Sequence, residues 1–216
     1  FKENPNELCD TVRHLTDDTL FQPGADAIKF FFRRVGVISG FIVNAEKAKK
    51  LSSDLFDGRL YYQMYLAGML MAEGQGYYFS DVMTLSRDTE APDFGNAGTE
   101  KGVFTPGGYK PEGRIHMVEG LLLIAKYIED TTKIDGVYAG IRKDLANYFY
   151  PYIRDQLDLP LYTYIKMINK FRKMGFSNEK LFYVHAFLGY VLKRRGYDAL
   201  IKYIRSKKGG TPRLGI

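Results

Sequence analysis

Two aspartates, Asp54 and Asp57, stand just ahead of an apolar, helix-like run that opens at Tyr61-Tyr62-Gln63. A carboxylate in that place can take the proton of an attacking hydroxyl. Gly58, beside Asp57, lets a second molecule come close to the backbone. The same residue type at the same place also serves as a helix N-cap, which is the simpler reading of Asp57. Four side chains further on can meet a phosphate: Arg87, Lys101, Arg114 and His116. A guanidinium suits that geometry through its planar fork of donors. Each of the four is also readable as an ordinary surface charge, and His116 as a first-turn helix residue.

Several chemistries are excluded. The chain has no phosphate loop, no dinucleotide glycine fingerprint, no HExxH, no CxxC and no GxSxG. Its three histidines, His14, His116 and His185, are far apart, and His185 reads as a core or interface residue. A single cysteine, Cys9, rules out an intrachain disulfide and a multi-cysteine metal site, which suits a reducing compartment. No secretory signal is present, and no apolar run reaches the roughly 18 residues that cross a bilayer.

The elements that must position these residues follow from periodicity. Across 216 residues with 45% hydrophobic content, one or two domains with a sizeable core are expected. Residues 1–34 read as an entry segment, with Asp17-Asp18 as a helix cap and Pro23-Gly24 as a turn. VGVISGFIVN, residues 35–44, reads as a buried strand broken by Gly36 and Gly40. AEKAKKL is a short amphipathic helix. YYQMYLAGMLMAEG is a second helix, ended by Gly74. YYFSDVMTL is the next strand. Residues 87–114 form a long glycine- and proline-bearing stretch, either a lid over a substrate or a plain excursion. From Arg114 onward the pattern is helical. Ile115, Val118, Leu122 and Ala125 share one face, Pro151 limits the next helix, and Gly175 and Gly196 end later ones. A soft boundary near residue 113 separates a mixed portion, 1–113, from a helical portion, 114–216.

The order strand, helix, helix, strand over residues 35–85 resembles the second, acceptor-side part of a family 2 glycosyltransferase of the GT-A type. Val35-Gly36-Val37-Ile38-Ser39-Gly40 is similar to the family strand that lies below the donor sugar. The segment Phe56-Asp57-Gly58-Arg59-Leu60-Tyr61-Tyr62-Gln63 falls where many members carry a Glu-Asp pair opening the helix; here Tyr62-Gln63 stands in its place. The resemblance implies an α/β fold, a partial GT-A-like mixed sheet with helices, followed by a C-terminal helical region. It implies transfer of a sugar from a nucleotide-sugar donor to a glycan or lipid-linked acceptor in surface polysaccharide assembly. Asp57, then Asp54, would be the base; Ser39 and Gly40 would border the sugar; Arg87, Lys101, Arg114 and His116 would meet donor phosphate. It also implies Mg²⁺ or Mn²⁺ held by an upstream aspartate motif that this sequence does not supply, since Asp17-Asp18 is better explained as a cap. The chain opens at Phe1 rather than Met, so it is expected to be a piece of a longer protein.

The charge of +6 collects late in the chain, where residues 193–216 are strongly basic. Such a segment meets an anionic membrane surface or nucleic acid, or remains a solvated tail. The expected location is cytoplasmic, with association to a membrane, and an incomplete sheet edge would favour a homodimer. A second reading from a different class is a non-enzymatic basic helical module that binds nucleic acid or a partner protein.

Overall fold

Hydrophobic residues at helical spacing govern nearly the whole chain. The computed structural model describes residues 13–36, 38–81, 83–84 and 110–208, with side chains to 204. A short strand, β1 (Thr19–Phe21), leads into α1 (Ala25–Arg34), α2 (Ala45–Lys50) and α3 (Tyr62–Glu73), and β2 (Gly76–Tyr78) follows. Then come α4 (Pro111–Thr132), α5 (Val137–Asn147), α6 (Tyr150–Ile153), α7 (Leu161–Lys173) and α8 (Lys180–Lys208). Short 3-10 turns occupy Arg154–Gln156 and Phe176–Asn178.

The expected mixed sheet is not what forms. Among the described residues the strands are β1 and β2 alone, paired antiparallel with Thr19 opposite Tyr78 and Phe21 opposite Gly76. The protein is mostly helical. The reason lies in Ala27, Ile28, Phe32 and Val35, all buried and spaced as one helical face. Helix α1 therefore takes AIKFFFRR and ends by turning Val35 and Gly36 back, their N–H groups donating to Phe31 and Arg33 carbonyls. The residues beyond, assigned to a strand by their β-branched pattern, form a turn in which Ile38 and Ile42 are exposed. The second expected strand shortens to Gly76–Tyr78. The Asp17-Asp18 pair caps no helix. Asp18 instead accepts from the N–H and hydroxyl of Ser80, both at 2.8 Å, and so fastens the end of β2.

Asn44, assigned by the sequence to the end of the 35–44 strand, caps α2 by accepting from the Lys47 N–H. Other expectations hold. Gly74 ends α3, and Gly175 follows α7 in a left-handed conformation that glycine takes without penalty. Helix α4 starts at Pro111, so the boundary drawn near residue 113 falls inside its first turn.

One continuous core runs from Ile28 to Tyr197. Helix α1 lies between α3 and α5, and α4 packs on α3 and α5. The α3–α4 contact is tight at Gly68, where any Cβ would overlap the Ile128 Cδ1 methyl. Arg33 Nε donates to Asp144 at 2.7 Å and its guanidinium lies over Tyr148, joining α1 to α5. The helices after α5 close around Phe149, whose ring meets Phe171, Phe176 and Phe182 edge-on at 4.8–5.0 Å. Lys193 interrupts α8 with φ 55°, earlier than Gly196, where the sequence suggested a helix end.

Candidate functional site

The loop between α2 and α3 is pinned by two buried apolar residues, Phe56 and Leu60. Phe56 packs against Tyr65 at 5.1 Å and edge-on against Tyr127 of α4 at 5.4 Å. Between the two anchors, Asp57, Gly58 and Arg59 are held up to the surface. Gly58 (φ 75°) and Tyr61 (φ 73°) are both left-handed, the second an uncommon conformation for a tyrosine. This double reversal turns Arg59 toward the start of α4. The Tyr61 hydroxyl is directed at Met117 Sδ, 3.7 Å away, and burial pushes its pKa up to about 12.

Three side chains converge there. Arg59 Nη1 lies 2.9 Å from Nδ1 of His116 and 3.4 Å from Oε2 of Glu119. His116 Nε2 lies 3.4 Å from the carbonyl of Gly58. Arg59 Nη1 also lies 3.2 Å from His116 Nε2, so the guanidinium donor faces both ring nitrogens, and which of them accepts depends on the tautomer. The loop and the helix thus hold each other by polar contacts. A shallow open depression of about 350 Å³ adjoins them, with Arg59, Glu119 and Lys126 as its charged rim and Leu122, Leu123 and Tyr138 as its apolar lining. An apolar floor with a few converging polar groups is the usual form of a small-molecule subsite.

The expected site residues part company here. Asp57 and His116 belong to the two segments that meet. Asp57 is exposed and its N–H donates to the carbonyl of Asp54, so the pair forms one turn. Asp57 does not cap α3, whose start is Tyr61 without a side-chain cap. Arg114, expected on a phosphate, is buried instead, with Nη2 donating to Asp155 Oδ2 at 2.6 Å. That ion pair joins α4 to the turn after α6. Ser39 and Gly40 lie in an exposed turn, where Gly40 (φ 84°) abuts Thr84. Arg87 and Lys101, with the whole stretch 85–109, lie outside the described residues, and so does Cys9.

Sequence reasoning missed Arg59 and Glu119. A signal existed for both: Arg59 follows a left-handed glycine, and Glu119 lies three residues after His116 on one helix face. The described residues supply no ligand set for a divalent metal. Among the described residues no group of three or more His, Cys, Asp or Glu comes together, and the carboxylate of Asp18 is already engaged by Ser80 and Tyr77. Those hydrogen bonds, the Ser80 N–H first, hold the Asp18 carboxyl below its ordinary pKa.

His185, read from its sequence context as a core or interface residue, is half-buried at the edge of the core. Its ring bridges Tyr197 Oη (2.8 Å) and the Asn147 carbonyl (3.1 Å), and burial lowers its pKa. No family model, curated protein or solved structure matches this chain.

Proposed function

We propose that this chain carries the acceptor side of a glycosyl-transfer site, moving a sugar from a nucleotide-sugar donor to a glycan or lipid-linked acceptor. One observation carries the reading: the Phe56–Tyr61 loop, which holds the candidate base, is fastened to His116 and Glu119 beside an open depression. The mixed sheet is no part of it. Asp57 takes the proton of the attacking hydroxyl as the hydroxyl oxygen bonds to the anomeric carbon. The sugar–phosphate bond breaks with its electron pair leaving on the nucleoside diphosphate. Arg59 supplies positive charge at the rim, and Tyr138 and Leu123 offer an apolar floor for a sugar face. Donor diphosphate and divalent metal are assigned to no residue of this chain.

The test is release of nucleoside diphosphate from a panel of nucleotide sugars with Mn²⁺, using the longest protein its gene encodes. Turnover by the wild type, lost in Asp57→Asn with an unchanged circular dichroism spectrum, supports the reading. Absence of nucleotide-sugar binding by the wild type, or full turnover in Asp57→Asn, overturns it.

A second reading, a non-enzymatic basic helical module, draws support from the mostly helical fold and from the exposed cations of α7 and α8. It predicts a steep fall in binding to nucleic acid with rising salt.

A further inference from the structure

Helix α8 presents a face that none of the described residues covers. Tyr183, Val184, Phe187 and Val191 recur at helical spacing and are all exposed, Phe187 at 68% and Val191 at 59%. The opposite face carries the buried Phe182 and Ala186. Helix α7 reaches α8 through the Tyr164 side chain, whose hydroxyl donates to the Ala186 carbonyl and whose ring stacks on Tyr190. It exposes Leu161, Tyr162 and Ile165 in turn, Tyr162 at 79%. Isolated exposed apolar residues are ordinary; this many on two adjoining helices are not.

The sequence around them is dominated by cations, with Asp158 and Asp198 as the acids that share the depression at Lys193, Arg194 and Arg195. Between Leu161 and Tyr197 the one acid is Glu179, and its carboxylate lies against Arg142. Lys166, Lys170, Lys173, Lys180, Arg194 and Arg195 stand in the same span. The break at Lys193 sets this arrangement. Lys193 Nζ folds inward to the Leu157 carbonyl at 3.1 Å and over the Tyr190 ring at 3.5 Å. Beyond it, Tyr197 is buried and Asp198 is gripped by Arg154 at 2.8 and 2.9 Å. Arg194 and Arg195 are left exposed at the elbow, where the apolar face ends.

We propose that the exposed face of α8, with the adjoining end of α7, docks in the plane of an anionic lipid surface. Apolar side chains enter the boundary between headgroups and acyl chains while the flanking lysines and arginines meet lipid phosphate and carboxylate. Nucleic acid would satisfy the cations but leave Phe187, Val191 and Tyr162 in water. A second copy would cover the apolar face but bring like-charged rims together. Among the described residues no helix is long and apolar enough to cross a membrane, so the contact is interfacial. The inference is independent of sugar transfer.

The chain has no tryptophan, so Phe187→Trp installs a single reporter at an already exposed position. The protein is mixed with vesicles of phosphatidylcholine alone, and with vesicles that also contain phosphatidylserine. The expected result is a blue shift of the indole emission and co-flotation with the anionic vesicles only. The double variant Arg194→Glu/Arg195→Glu weakens that binding roughly tenfold or more, while Lys49→Glu/Lys50→Glu on α2 leaves it unchanged. Phe187→Ser/Val191→Ser abolishes the flotation with an unchanged melting curve. The proposal is overturned by absence of binding to either vesicle or by equal loss in the α2 variant. It is overturned equally if the serine variant changes only a monomer–dimer equilibrium or only binding to an RNA oligonucleotide.

Discussion

Arg59 and His116 stand 57 positions apart in sequence and meet at 2.9 Å, one from an irregular loop and the other from the first turns of α4. Phe56 and Leu60 anchor the α2–α3 loop, and this contact ties the stretch between them to α4. Arg59→Ala is expected to release that stretch at small cost in stability, about 1 kcal/mol or less, because the pair is partly solvated. Binding at the adjoining depression should fall much more than stability. Thermal melting and a nucleotide-sugar titration of the same variant separate the two effects, and Arg59→Lys should restore charge without the geometry.

Gly68 and Ile128 make the closest approach of α3 to α4. Gly68→Ala adds a methyl where the Ile128 side chain already sits, so it should destabilise by about 1–3 kcal/mol in spite of alanine's better helix propensity. Ile128→Val in the same molecule should recover part of that loss. A denaturant double-mutant cycle that gives simple additivity would place the strain elsewhere.

Arg114 is buried and its partner Asp155 is partly exposed. Removing the guanidinium leaves Asp155 with only the more distant Arg154, at 4.0 Å, so Arg114→Ala should cost about 2 kcal/mol. Arg114→Met, which keeps most of the buried stem, should cost less. Urea unfolding of both variants checks the order.

His14 has its pKa lowered from 6.5 to about 4, chiefly by burial and then by Arg34 and Arg33. Burial lowers that of His185 in the same direction. Between those limits the unfolded chain binds protons that the folded chain refuses, so stability rises with pH across that window. The contribution is fully present above pH 6.5 and is lost as the pH falls toward 4. Melting temperatures of the wild type and His14→Gln at stepped pH should show a shallower acid slope in the variant.

What was legible in the sequence was local. The stops at Gly74 and Gly175 and the buried stripe of α4 follow from the conformational freedom of glycine and the helical period. These act over a few residues, so a chain read in order displays them. The strand assigned to residues 35–44 failed for a related reason. A β-branched run is only a local preference, and a strand needs a neighbour to receive its backbone hydrogen bonds. Val35 had a better use as the last buried position of the α1 face. Lys193 rather than Gly196 breaks α8, and there the Leu157 carbonyl holds the Lys193 amine from outside the helix while the Tyr190 ring of the same helix lies beneath it.

The candidate site divides along the same line. The sequence by itself determined which residues could do acid–base or anion chemistry, and Asp57 and His116 were among them. Only the tertiary structure decided that the loop of Asp57 would meet His116 through Arg59, and that Arg114 would be used up in a buried pair with Asp155. Both outcomes rest on contacts between segments tens of residues apart. Such contacts are set by how buried faces fit together, and no periodicity within one segment records that fit.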